Sequence, residues 1–400
     1  MKKRGLVARS TIEYDGCMTR IPVNPEMLRW ARERASHDVR DLTPRFPQLP
    51  AWERGEKQPT FKQLEAFARA THTPFGFLFL AEPPEERLPI PDFRTVAHRQ
   101  VRPSPDLLDT IYAMQRRQDW LREERIEGEA DPLEFVGNAH LNDEPMAVGQ
   151  EIRRTVGLDD GWASDVSSWE EAVSELRRRI EGLGVMAVIN GVVGNNTHRK
   201  LDVEEFRGFA LTDRYAPLIF VNGADSKSAQ MFTLAHELTH VWLGPEGEGI
   251  SGFEGLFPGD SRIEKFCDQA AAEFLVPARE LRERWRDVKG TPDPFERVAR
   301  QFKVSPIVAG RRAMDLRLVN RETFFTFYNA YMKRERQQAR AAGGGDFYNN
   351  QNTRVGAAFA TSVIRAAMGG RLSFKEAYDL TGLRGGAFQE YARRLGMALP

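Results

Sequence analysis

The stretch Met231 to Leu243, MFTLAHELTHVWL, constrains this chain more than any other part of it. Asp225 and Ser226 offer a helix N-cap, and no glycine or proline follows until Gly244. Phe232, Leu234, Ala235, Leu238, Val241 and Trp242 make the segment apolar on nearly every side, as a helix inside a domain would be. Its polar exceptions are His236, Glu237 and His240. Residues four apart stack on one helical face, so the two imidazoles can hold one metal ion between them. Glu237, about 100° round the helix, can reach a water on that metal but is not placed as a ligand, which is the position of a base. Zinc suits the pattern, because it takes three protein donors, keeps a place for water and lowers that water's pKa towards about 7. The alternative, two core histidines, needs hydrogen-bond partners for both rings.

A third donor has to come from another element. The next helical stretch, Arg262 to Phe274, carries Glu264, Asp268 and Glu273. Glu264 and Asp268 are four apart and share a face, whereas Glu273, nine residues from Glu264, points about 180° away. Only one of the two glutamates can face the histidines. Asp268 favours Glu264, since from one turn further on it can accept the N–H of a ligand histidine and fix its tautomer.

The motif His236-Glu237-x-x-His240, followed by Glu264 to Pro277 (EKFCDQAAAEFLVP), resembles the ImmA/IrrE metallopeptidase family, whose second helix reads E-x-x-A-N-x-F-A-x-x-L-L-M-P. Cys267 stands here for the alanine, Asp268 for the asparagine and Ala270 for the phenylalanine, while the ligand position is kept. The resemblance implies a zinc endopeptidase in which His236, His240 and Glu264 hold Zn2+ and Glu237 is the catalytic base. It also implies the substrate class: members cut Xre-like transcription repressors or related regulatory proteins, and so switch on phage, mobile-element or stress genes. Long members also occur beside PIN-type toxins, which keeps a second reading open, a DNA- or toxin-binding regulator with a structural zinc site. Glu237 favours the peptidase, because a structural site has no need of a base.

Upstream, Asn24 and Pro25 open a helix, and a second is expected over Asp38–Arg45. The motif W-E-R-G-x-x-Q-P-T leads into a further helix, Phe61–Ala70, and resembles the Xre/Cro-type helix-turn-helix domain. Its third helix is compressed, since Pro50 confines any helix there to begin near Leu49, which leaves little surface for reading bases. Residues 1–80 carry 14 Lys+Arg against 9 Asp+Glu, net +5, enough for non-specific phosphate contact only. DNA-binding residues are not assignable.

Whole-chain charge is balanced, 57 against 57, and points to neither nucleic acid nor membrane. Two cysteines, Cys17 and Cys267, make no disulfide framework, and the basic start MKKRGLVARS lacks a signal-peptide core; a reducing, cytoplasmic setting is expected. The expected architecture is α+β and mostly α-helical. An all-α helix-turn-helix-like domain (1–80) and a Pro-rich connector (81–104) precede a zincin-like metallopeptidase domain with a small sheet (105–333) and a C-terminal helical extension (334–400). Helices are expected at Pro105–Glu127, Pro145–Val156 and Ser167–Leu183. Strands are expected at Gly184–Val193, Phe206–Thr212 and Ala216–Gly223, the last helices number two, and Phe324 to Tyr331 form an aromatic core helix. An edge strand beside the metal would hold an extended peptide by main-chain hydrogen bonds. His198 and Tyr215, in loops nearby, are candidate oxyanion stabilisers.

Overall fold

The computed structural model describes residues 20–84, 86, 103–244, 250–251, 262–338 and 347–397. Residues 1–19, most of the Pro-rich connector and residues 339–346 lie outside them. The chain divides into two compact units, residues 1–87 with 102–105, and the remainder.

The first unit holds α1 (Pro25–Arg34), α2 (Val39–Leu42), α3 (Leu49–Glu53), α4 (Phe61–Ala70) and a 3-10 turn, Phe75–Phe79. The Asn24 side chain caps α1, and Thr60 with Gln63 forms a reciprocal capping box on α4. Met27, Leu28, Leu49, Trp52, Leu64 and Phe67 fill the core. The expected Asp38–Arg45 helix is only four residues long, because Pro44 has no N–H with which to continue it. In α3, Leu49, Trp52 and Glu53 are buried, and Glu53 accepts two bonds from the Arg32 guanidinium, at 2.7 and 3.1 Å. Three of its five side chains therefore serve the core.

The second unit begins with α5 (Pro105–Glu127), α6 (Pro145–Val156) and α7 (Trp169–Gly182). Five strands follow: β1 (Met186–Asn190), β2 (Val192–Val193), β3 (Asn196–Lys200), β4 (Gly208–Leu211) and β5 (Leu218–Asn222). Then come α8 (Lys227–Leu243), β6 (Ile250–Ser251), α9 (Arg262–Leu275), α10 (Ala278–Val288), α11 (Pro294–Phe302) and α12 (Pro306–Asp315). It ends with α13 (Arg321–Gln338), α14 (Phe347–Val355), α15 (Ala357–Met368), α16 (Phe374–Thr381) and α17 (Gly385–Arg394). This is an α+β fold dominated by helices. No helix among the described residues is long and apolar enough to cross a membrane.

The main sheet runs β1-β5-β4-β6, with β1 parallel to β5 and the other pairs antiparallel, while β2 and β3 form a separate hairpin. Alternate side chains divide between two cores. Ala187, Ile189, Ala210, Ile219 and Val221 join the cluster built by α6 to α12. Met186, Val188, Phe209, Leu211, Leu218 and Phe220 join a second cluster with α5 and α14 to α17. The sheet is thus a middle layer between two helical ones.

Several expectations need correction. Gly184–Val193 is not one strand: the Asn190 side chain accepts from Val192 N at 3.2 Å and donates to the Gly194 carbonyl at 2.7 Å, turning the chain between β1 and β2. The tail has four helices rather than two, with Ser373 and Glu376 forming a capping box that starts α16, and Gly385 opens α17. Of the aromatics on α13, only Phe324 is fully buried. The strand beside the site helix, β4, is not a bare edge, because Gly208 pairs with Ser251 and Phe209 with Ile250.

Candidate metal centre

The helix that carries the motif is built as a buried rod. Ser226 Oγ accepts from Ala229 N, and the chain turns out of helix at Gly244, whose N–H returns to the His240 and Val241 carbonyls. Glu237 and His240 are fully buried, and His236 is 5% exposed.

Three donors converge from two helices. His236 Nε2 and His240 Nε2 are 3.1 Å apart, and the Glu264 carboxylate from α9 stands 3.2 Å from the first and 3.7 Å from the second. Donor atoms bound to one tetrahedral zinc at about 2.0–2.1 Å lie about 3.3 Å from one another, so this donor set fits zinc with little movement. Asp268 Oδ1 lies 3.0 Å from His236 Nδ1, which commits that nitrogen as a donor and turns Nε2 towards the other two groups. Burial pushes the His236 imidazole down, but its hydrogen bonds to Asp268 and Glu264 more than offset this and hold it well above the ordinary histidine value. Metal-free, the ring keeps a proton that an ion would displace.

Glu237 is positioned from the sheet side. A methyl group at Gly208 of β4 would fall 2.6 Å from Thr233 Cγ2, 2.8 Å from the Phe220 carbonyl and 3.0 Å from Glu237 Oε1. Only a residue without a side chain lets α8 lie this close to β4. The Glu237 carboxylate therefore sits against the β4 backbone, one helical step from His236.

Glu273 is engaged elsewhere. It is 1% exposed, takes bonds from Gln150 Nε2 at 2.9 Å and Ala278 N at 3.2 Å, and pairs with Arg312. Arg312 also donates to the Val276 carbonyl at 3.1 Å, so the pair ties α9 to α12. Of the loop candidates, His198 is exposed on β3. Tyr215 lies in the turn at the other end of the β4–β5 hairpin from Gly208, its carbonyl accepting from Arg125.

One residue was missed as a donor. Cys267 is fully buried, and its sulfur lies within 4.8 Å of ring nitrogens of both His236 and His240. Burial, then the carboxylates of Glu264, Asp268 and Glu237, push its thiol well above the ordinary value. The signal was in the spacing, since Cys267 is three residues from Glu264 and so shares its face of α9.

Comparison with known families places this geometry. Residues 193–314 match the Peptidase_M78 family model, described as the IrrE N-terminal-like domain, and this span contains β4, β5, α8 and α9. The match supports a metallopeptidase of the IrrE/ImmA family for this part of the chain. Residues 355–394 match a domain of unknown function, and neither match covers the first unit. No curated protein matches the chain.

Proposed function

We propose that the chain is a zinc-dependent endopeptidase that cuts a regulatory protein, an Xre-like repressor being the substrate class that the family resemblance implies. The observation that carries the reading is the convergence of His236, His240 and Glu264 beside a buried Glu237. When bound, zinc would supply a Lewis acid that polarises the scissile carbonyl and activates water. Asp268 holds the Nδ1 proton of His236, so the imidazole presents its Nε2 lone pair. Glu237 takes a proton from the attacking water at its carboxylate and returns it to the leaving amine. The alternative regulator, reading DNA or binding a PIN-type toxin, draws no support from α3, where three of five side chains point into the core.

Metal analysis tests the site and a proteome comparison tests the activity. The wild type should carry about one zinc per chain. His236→Ala and His240→Ala should lose it, and Glu264→Gln should hold it more weakly. Glu273→Gln should retain it while losing the Arg312 pair. Glu237→Gln should keep its zinc but cut slower by about 10²–10⁴-fold. Mass spectrometry of cell extracts treated with wild type or Glu237→Gln should show one or a few new neo-termini with the wild type only. Full zinc in the double histidine variant would sink the site.

A further inference from the structure

A third kind of donor, a thiol, lies beside the imidazoles and the carboxylate of this site. Cys267 and Glu264 project from the same face of α9, one turn apart, and the shorter cysteine lies deeper: Cys267 is fully buried, while the Glu264 side chain keeps 24% exposure. One ring nitrogen of each histidine and the sulfur form one buried cluster, all within 4.8 Å of each other. A tetrahedral zinc with one nitrogen and one sulfur donor holds those two atoms about 3.6 Å apart, so a movement of about 1 Å closes the set. In the family pattern that this chain resembles, the position is an alanine, which offers no donor.

We propose that Cys267 is a fourth protein donor to the metal, so that in the resting protein four protein groups fill the coordination shell and no place is kept for water. The inference rests on the zinc reading above and deepens it: the resting centre is closed, with two nitrogens, one carboxylate and one sulfur, and the thiol has to leave before a substrate carbonyl can enter. As the sulfur–metal bond forms, the thiol proton passes to a neighbouring carboxylate, and from the partly exposed Glu264 or Asp268 it reaches solvent. Sulfur supplies both bonding electrons, and neither partner is oxidised or reduced. A soft sulfur donor also tilts the site towards zinc and away from manganese or magnesium, which favour oxygen ligands.

Cobalt substitution tests this on the full chain. Zinc is removed, one equivalent of cobalt(II) is added, and the absorption spectrum is read. The wild type should show the intense near-ultraviolet band of a sulfur-to-cobalt bond together with the visible bands of four-coordinate cobalt. Cys17→Ser should keep the ultraviolet band. Cys267→Ala should lose it, keep visible bands from the remaining donors, and bind cobalt and zinc at least about tenfold more weakly. Four-coordinate cobalt in the wild type with no sulfur band overturns the proposal and leaves the peptidase reading intact. Cobalt binding that His236→Ala and His240→Ala leave unchanged overturns the zinc reading itself. The decisive spectrum is that of the wild type, so the outcome does not depend on how well a buried cysteine tolerates substitution.

Discussion

The two faces of the sheet differ in what they hold besides apolar packing. The face towards α8 carries Ala187, Ala210 and the bare backbone of Gly208 beside the larger Ile189, Ile219 and Val221, and the helix laid against it buries Gln230, His236, Glu237, Thr239 and His240. The other face carries Met186, Leu211, Leu218, Phe209 and Phe220, with the last two rings stacked at 5.0 Å and 10°. At Gly208 the missing side chain lets α8 come close enough for its few polar groups to be held in place by backbone and by α9. Large apolar residues on the other face fill their own space, and apolar burial is what holds a fold together. Both sides of the strands are apolar cores, and the chemistry is confined to one of them.

The largest effect should come from the side away from α8. Phe220→Ala removes a ring that is 1% exposed and should cost about 3–5 kcal/mol of stability, while zinc per folded chain stays unchanged. Chemical denaturation with metal analysis of the folded fraction checks both halves, and a folded variant that has lost its zinc would show that the two faces are not separable.

A smaller effect is expected at the seam where α7 meets the C-terminal helices. Burial, opposed by Arg177 at 2.6 Å, raises the Glu181 carboxyl from 4.5 to about 7. The folded state then holds a proton that the unfolded chain releases, so stability falls as pH rises from about 4.5 to about 7 and is level beyond either end. The loss amounts to at most about 3 kcal/mol. Glu181→Gln should remove that slope, seen as a wild-type-minus-variant difference between urea titrations at pH 5 and pH 8. Identical slopes would show that the ion pair with Arg177 outweighs burial.

The smallest change in stability should have the largest local consequence. Gly208→Ala must push β4 from α8 and should cost about 1–3 kcal/mol. Because the added methyl meets Thr233 and Glu237, proteolysis should fall by more than the loss of folded protein explains, with zinc retained. Activity that tracks folded fraction would reduce Gly208 to a packing residue.

Helices with their own punctuation were readable. The bounds of α4, α5 and α6 match the sequence reading, and α8 ends at the Gly244 stop, because caps, prolines and apolar spacing are local signals. The meeting of His236 with Glu264 and Asp268 followed from helical geometry once one metal was assumed. What escaped were features set by distant chain. The strand β3, NTHRK, is polar and mostly exposed and has no apolar alternation to reveal it, while β6 is two residues long and exists only as a partner of β4. The role of Gly208 is invisible without knowing that α8 crosses β4, and α14 to α17 reveal what they cover only when the far side of the sheet is seen.

That cover has a consequence for the order of synthesis. The strands and both site helices have been made by Leu275, but the side of the sheet away from α8 is closed by residues from Val355 to Ala392. At roughly 5–20 residues per second, a ribosome needs about 6–24 s to travel from Leu275 to Ala392, and during that interval Phe209, Leu211 and Phe220 lack their final covering. A nascent chain stalled near residue 320 should therefore be cut by added protease within the strands, whereas one released at full length should resist. On this schedule the peptidase half reaches its finished scaffold only with the last helices, so a chain interrupted before them should be cleared rather than accumulate as a partly active fragment.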